Sequence, residues 1–230
     1  MTDPGAGGQS PRERYRAQVR AEIKQHAWEQ IAAAGVAALS LNAIAKRMGM
    51  SGPALYRYFA GRDELITALV RDAYRSLADT VRTAFDAGAD LAGLAGVIGE
   101  WARSDPQRYF LVYGTPVPGY HAPDDITAIS DEVMAVLLEA CGARAAHDGP
   151  TTPRDARSAD SRATPFHAHP ENRREWAGGR PETTAALHRA LSFWTRLHGV
   201  LSLELAGHFA GMGFDPDLLI SEELKSLPPL

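Results

Sequence analysis

The chain has 230 residues, 45% hydrophobic and 23% charged, enough for a packed core without a disulfide or metal staple, which excludes a wholly disordered or fibrous chain. A single cysteine, Cys141, excludes an intramolecular disulfide and suits a reducing cytoplasm. The formal net charge of -4 is unevenly spread: residues 1–62 carry nine Lys/Arg against four Asp/Glu, a balance of +5 that leaves -9 for the rest, so a polyanion suits the head and not the body.

In chain order, residues 1–12 are rich in Gly, Pro and Ser and are expected to form a disordered tail. A helix is predicted from Glu13 to Ala34, where Val19, Ile23, Ala27, Ile31 and Ala34 recur at helical spacing. Gly35 should end it as a left-handed cap. Ser40 is a good N-cap for a short helix through Met48, although Ala43 at the third position precludes a reciprocal capping box. Gly49 allows a tight turn. Ser51 should cap the next short helix, with Pro53 in its first turn and an end near Tyr58.

After the break at Gly61, Asp63 and Glu64 complement the dipole of a long helix to about Phe85. Asp90 starts another helix to about Ser104, and Asp105-Pro106 starts one that ends at Gly114. Residues 115–123 are a proline-rich loop, and Asp124 to Cys141 is again helical. Residues 142–181 contain no Val, Ile, Leu or Met, so they cannot offset their ordering entropy and are expected to be a disordered insertion. A long helix from Glu182 to about Ala210 follows, and a last one from Asp215-Pro216 to about Leu227. Leu187, Leu191, Trp194, Leu201 and Leu205 form one stripe of the long helix, with Ala190, Leu197 and Val200 beside it. The second stripe is surplus apolar surface, so the long helix and the last helix from Asp215 are expected to pair with their two-fold mates in a four-helix bundle. No alternating strand and no internal repeat occurs, so the predicted class is all-α. No apolar run reaches a membrane span, and Met1–Gln9 lacks the basic flank and apolar stretch of a signal peptide, so a cytoplasmic protein with no membrane partner is expected.

The function is carried by Leu39–Leu65, LSLNAIAKRMGMSGPALYRYFAGRDEL. A short capped helix, a turn with Gly49 and a second short capped helix make a helix-turn-helix, whose second helix enters the major groove. Small residues Ser51, Gly52, Pro53 and Ala54 at the start of that helix permit close approach to DNA. Tyr56 and Tyr58 follow, with Arg57 between them, as phosphate donors.

This stretch resembles the DNA-binding head of the TetR family of bacterial transcriptional regulators, through A-I-A-x-x-x-G-x-S-x-x-x-L-Y-x-Y-F followed by Arg62, Asp63 and Leu65. Trp194, His198 and Gly199 within FWTRLHGVLSLELAGHF resemble the signature of the WHG-type effector domain. The resemblance implies a head at 13–62 and a ligand-binding and dimerisation domain at 63–230. It implies phosphate contacts from Ser40, Tyr56, Tyr58 and Arg62. Ser51, Gly52, Pro53 and Arg57 would lie nearest the bases, and Leu55 and Phe59 in the core of the head. The function it implies is a ligand-responsive homodimeric repressor, released from a palindromic operator in double-stranded DNA by a small molecule of unknown identity. The alternative from another class is an α-helical small-molecule binding protein that never touches DNA.

Trp101, Tyr109, Phe110, Tyr113, His121, Met134, Trp194 and His198 read as the lining of an apolar ligand pocket or as ordinary core. His198 on an apolar face reads as a core or interface histidine, with a ligand-polarising role as the alternative. His167 and His169 with Glu171 fall in the insertion without a rigid scaffold, so no metal site is expected. Cys141 reads as an inert thiol. No phosphate-binding glycine loop, nucleophile elbow or metal-ligand cluster occurs, so neither a cofactor nor an enzymatic activity is expected.

Overall fold

A computed structural model describes residues 10–114, 119–147 and 184–228. Among the described residues there are nine α-helices, one 3-10 turn and no strand, in agreement with the all-α prediction. In chain order they are α1 (Pro11–Ala34), the 3-10 turn (Val36–Ala38), α2 (Leu41–Arg47), α3 (Gly52–Leu55), α4 (Arg62–Asp86), α5 (Leu91–Ser104), α6 (Pro106–Tyr113), α7 (Asp124–His147), α8 (Thr184–Leu205) and α9 (Pro216–Lys225). The described chain falls into two compact units, residues 10–72 with 110–114 and 119–122, and residues 73–109 with 123–147 and 184–228.

In the first unit, α1 starts earlier than predicted. Ser10 Oγ accepts from the Glu13 N–H at 3.3 Å, and Glu13 Oε2 accepts from the Ser10 N–H at 2.7 Å. This capping box, with Pro11 in the first turn, draws Ser10–Arg12 out of the expected disordered tail and into the helix. Residues 1–9 of that tail lie outside the described residues. Val19, Ile23, Ala27 and Ile31 form the buried face of α1. Gly35 closes it with φ 73° and ψ 167°. The positive φ is as predicted, but this ψ lies far from the left-handed helical region. The Gly35 N–H still reaches the Ile31 carbonyl, at 2.8 Å.

Ser40 caps α2 as predicted, accepting from the Ala43 N–H at 3.3 Å. Ser51 stands at the N-cap of α3, but its hydroxyl makes no capping bond. The third helical N–H, that of Ala54, donates instead to the Ser51 carbonyl at 3.0 Å. Helix α3 is also shorter than predicted and ends at Leu55. The Tyr58 N–H returns to the Leu55 carbonyl at 2.8 Å, a three-residue step that tightens the last turn.

In the second unit, α8 packs against α5, α7 and α9 and is the central helix. It runs Thr184–Leu205, and Gly207 at φ 80° lies in the turn that follows, so the predicted extension to Ala210 does not form. Its core comprises Ala186, Leu187, Ala190, Phe193, Leu197, Val200 and Leu201. Ala190, Leu197 and Val200 are thus buried within one chain, at 0%, 1% and 7% exposure. That corrects the expectation that their stripe is the surplus surface for a partner. Of the other stripe, Leu187 and Leu201 are buried, while Leu191, Trp194 and Leu205 are half-buried.

Helix α7 continues past Cys141 to His147, so residues 142–147 are helical and not part of a disordered insertion. Ala143, Ala145 and Ala146 are the strongest helix formers, and low hydrophobicity alone does not stop a helix. Residues 148–181 of the predicted insertion, His167, His169 and Glu171 included, lie outside the described residues, as do 115–118 of the predicted loop. Asp90 caps α5 by accepting from the Gly93 N–H at 3.0 Å, and Asp105 Oδ1 accepts from the Arg108 N–H at 3.0 Å at the start of α6. Helices α4 and α7 are tied by two forked ion pairs: Arg75 with Glu132 at 2.7 and 2.9 Å, and Arg82 with Glu139 at 2.9 and 3.3 Å. The pairs advance by seven residues on both helices, so the two run in the same direction.

Candidate nucleic-acid interface

The first unit presents its helix-turn-helix on a fixed frame. Leu55 and Phe59, four residues apart, are both fully buried and anchor α3 and its following turn, while Tyr56 between them is 46% exposed. Ser51, Pro53 and Arg57 are also exposed, and Gly52 and Tyr58 are half-buried. The same period that sinks Leu55 and Phe59 thus lifts the predicted DNA-facing residues to the surface. A Cβ on Gly52 would stand 3.5 Å from Asn42 Oδ1, an ordinary contact, so close packing between α2 and α3 does not require glycine there.

Ser40 is braced from α1. Its N–H donates to Gln30 Oε1 at 2.9 Å, and its carbonyl accepts from Gln30 Nε2 at 3.4 Å. The Ser40 hydroxyl accepts from Ala43, which leaves its own proton to donate outward. Glu29 ties α1 to α2 through Arg47 at 2.8 Å, and His26 at 3.1 Å is the main cause that lowers the Glu29 carboxyl pKa. Arg62 Nη2 donates to the Val36 carbonyl at 2.7 Å, so one donor of this predicted phosphate ligand is used to fasten α4 to the 3-10 turn.

The start of α1 adds residues that the helix-turn-helix pattern does not include. Arg12, Glu13, Tyr15, Arg16, Arg57 and Tyr58 surround a cleft of about 400 Å³. Arg16 Nη2 donates to the Arg57 carbonyl at 3.1 Å. Arg20 donates to the Tyr58 carbonyl and lies 4.0 Å from the Phe59 ring centroid. The signal was present: Arg12, Arg16 and Arg20 follow one another at four-residue steps, one face of a helix.

Of the eight predicted pocket residues, the second unit brings three together. The Tyr109 hydroxyl lies 3.0 Å from His198 Nδ1 and 2.8 Å from Ser202 Oγ, and the Trp194 and His198 rings are 4.1 Å apart. Burial pulls the His198 pKa down to about 4 and holds the ring neutral. Burial also raises the Tyr109 pKa. Ser202, unremarked in the sequence, completes this polar cluster. Trp101 stands apart, with its indole N–H on Ser76 Oγ at 3.2 Å and Arg108 over its ring at 4.6 Å. Met134 is half-buried on α7. Phe110, Tyr113 and His121 belong to the first unit, and His121 is exposed. A groove of about 1070 Å³ between α5 and α9 takes in none of the eight.

Comparison with known proteins decides the family. Residues 23–69 match the family described as bacterial regulatory proteins, tetR family, and residues 91–227 match the tetracyclin repressor-like C-terminal domain. The chain belongs to the TetR family of transcriptional regulators. It is 36% identical over 221 residues to the HTH-type transcriptional regulators Rv1816 of Mycobacterium tuberculosis and Mb1846 of Mycobacterium bovis, a match covering 92% of each chain. The crystal structure of the regulatory protein SCO4313 is 65% identical, covers 94% of this chain and 98% of its own, and superposes with a TM-score of 0.81. A protein from Rhodococcus sp. RHA1 shares the fold at 19% identity, with a TM-score of 0.64 over 92% of this chain and 95% of its own. As a member of this family, the chain is a DNA-binding regulator of transcription with a helix-turn-helix head. Among the described residues no helix is long and apolar enough to cross a membrane.

Proposed function

We propose that this TetR-family regulator is a ligand-responsive repressor, a homodimer released from a palindromic operator when a small molecule enters its second unit. The head is assigned to residues 13–62 and the effector and dimerisation domain to 63–230. The observation that carries the DNA side is the exposed row Ser51, Pro53, Tyr56 and Arg57 over the buried pair Leu55 and Phe59. Ser40, Tyr56 and Tyr58 donate to phosphates, with Arg62 fastening the frame beneath them. Ser51, Gly52 and Pro53 lie nearest the bases. On the effector side, a ligand that exchanges hydrogen bonds with Tyr109, His198 and Ser202 would shift α6 against α8. Such a shift biases the heads by its differential affinity for the two arrangements.

The test is Tyr56→Phe in an anisotropy titration against a duplex enriched from a random pool by the wild-type protein. Loss of one phosphate donor should weaken binding to that duplex and to its single-base variants by a similar factor, about 3- to 10-fold. Wild-type affinity across a salt titration would remove Tyr56 from the phosphate set.

A further inference from the structure

We infer that the cleft between the start of α1 and the turn after α3 holds one phosphate of the DNA backbone, gripped by Arg12 and Arg57 with Tyr15 at its rim. The inference rests on the DNA-binding reading and extends it beyond the helix-turn-helix, since the family match of the head begins only at residue 23.

Two separate elements supply the donors. Arg12, Tyr15 and Arg16 lie at one face of α1, three and four residues apart, and Arg57 and Tyr58 come from the turn after α3. The cleft they enclose, about 400 Å³, has room for a phosphodiester group with bridging water. Three guanidinium groups face one carboxylate there, a surplus of two positive charges. The carboxylate, Glu13, is held ionised at the Ser10 N–H at 2.7 Å, where it caps the helix.

The cations divide by task. Arg16 is spent on architecture: it donates to the Arg57 carbonyl at 3.1 Å and lies 5.9 Å from the Tyr58 ring centroid, which fixes the Arg57 backbone against α1. The side chains of Arg12, Tyr15 and Arg57 make no hydrogen bond or ion pair among the described residues. Tyr15 is 65% exposed, so no core requires an aromatic ring there. Two unspent guanidinium groups and a phenol around one cleft lack an anion. A tetrahedral phosphate accepts from all three, and a guanidinium fork matches its oxygens. The same geometry gives Arg57 a role at the DNA backbone, because the residue lines the cleft together with the start of α1.

The experiment uses the full chain and the enriched duplex, with anisotropy followed across a potassium chloride titration. Arg12→Ala and Arg57→Ala should each weaken binding about 5- to 10-fold and lower the log–log salt slope by about 1. The loss should be the same factor for every single-base variant of the duplex, and Tyr15→Phe should lose a smaller factor of the same kind. Lys225→Ala, an equal charge change in the second unit, should leave affinity and slope unchanged. Wild-type affinity and slope in Arg12→Ala, with an unchanged melting temperature, would overturn the inference. So would an Arg57→Ala variant that relaxes preference at one base, since that marks a base reader. Competition by inorganic phosphate at constant ionic strength that vanishes in Arg12→Ala would assign the cleft to free phosphate instead. If the wild-type protein enriches no duplex, the DNA reading falls and the cleft with it. An enriched duplex that Arg12→Ala binds normally removes the cleft alone.

Discussion

Tyr109, His198 and Ser202 show how a single side chain becomes a pH-dependent element of stability. Burial pulls the His198 pKa down to about 4, while in the unfolded chain it returns to about 6.5. Between those values the unfolded state binds a proton that the folded state refuses, so stability falls as pH drops through this window. The full loss is at most about 3 kcal/mol and is complete near pH 4. Urea midpoints at neutral and acid pH should therefore diverge more in the wild type than in His198→Gln, and equal divergence would contradict the neutral buried ring. At this scale the sequence was informative where side chains are large. The buried Leu55 and Phe59 and the exposed Tyr56 follow from helical period alone. Ser202 was not legible, because a serine on an apolar face carries no signal until Tyr109 arrives 93 positions away in sequence. The resemblance implies a phosphate contact for Arg62, and only the folded head brings the Val36 carbonyl to it.

Elements were legible where their ends carry capping chemistry. Asp90 and Asp215 start α5 and α9 as expected, whereas the Ser10–Glu13 box was present in the sequence and overlooked beneath a Gly/Pro-rich composition. Ser51 shows the opposite case, since a correct N-cap position did not bring a capping bond, the Ala54 N–H going to the Ser51 carbonyl instead. Helix α5 carries its own test. Gly96 is exposed in the helix interior, and a Cβ there would meet nothing within 4 Å. Gly96→Ala should therefore raise stability by about 0.5–1 kcal/mol, read as a higher urea midpoint at unchanged slope. Gly99→Ala should gain less, because its Cβ would stand 3.3 Å from Arg103 Nη1 and 3.8 Å from Leu201 Cδ2. Equal gains at both sites would contradict the crowding of Gly99 by the Arg103 side chain.

For the whole molecule, the family and the all-α class were legible in the sequence, but which surface is left over was not. Stripes on α8 are assigned by what surrounds the helix, and α5, α7 and α9 together cover more of it than periodicity reveals. Among the described residues of the second unit, the large apolar side chains left exposed are Leu203 at 45%, Phe214 at 42%, Met212 at 65% and Leu218 at 66%. The proposed two-fold interface therefore belongs at the C-terminal end of α8 and the start of α9. Leu203→Glu with Leu218→Glu should give a folded monomer by light scattering. Val200→Glu, at a site buried within the subunit, should instead lower the melting temperature sharply. A double variant that stays dimeric would place the interface elsewhere.

The most direct test of the account is the symmetry of the DNA that the wild-type protein selects from random duplexes. A homodimer with one helix-turn-helix per chain should enrich an inverted repeat, with half-sites about one helical turn apart or a multiple of it, bound more weakly as salt rises. Enrichment of a single asymmetric site, or of no sequence at all, would contradict the two-fold repressor proposed for this chain.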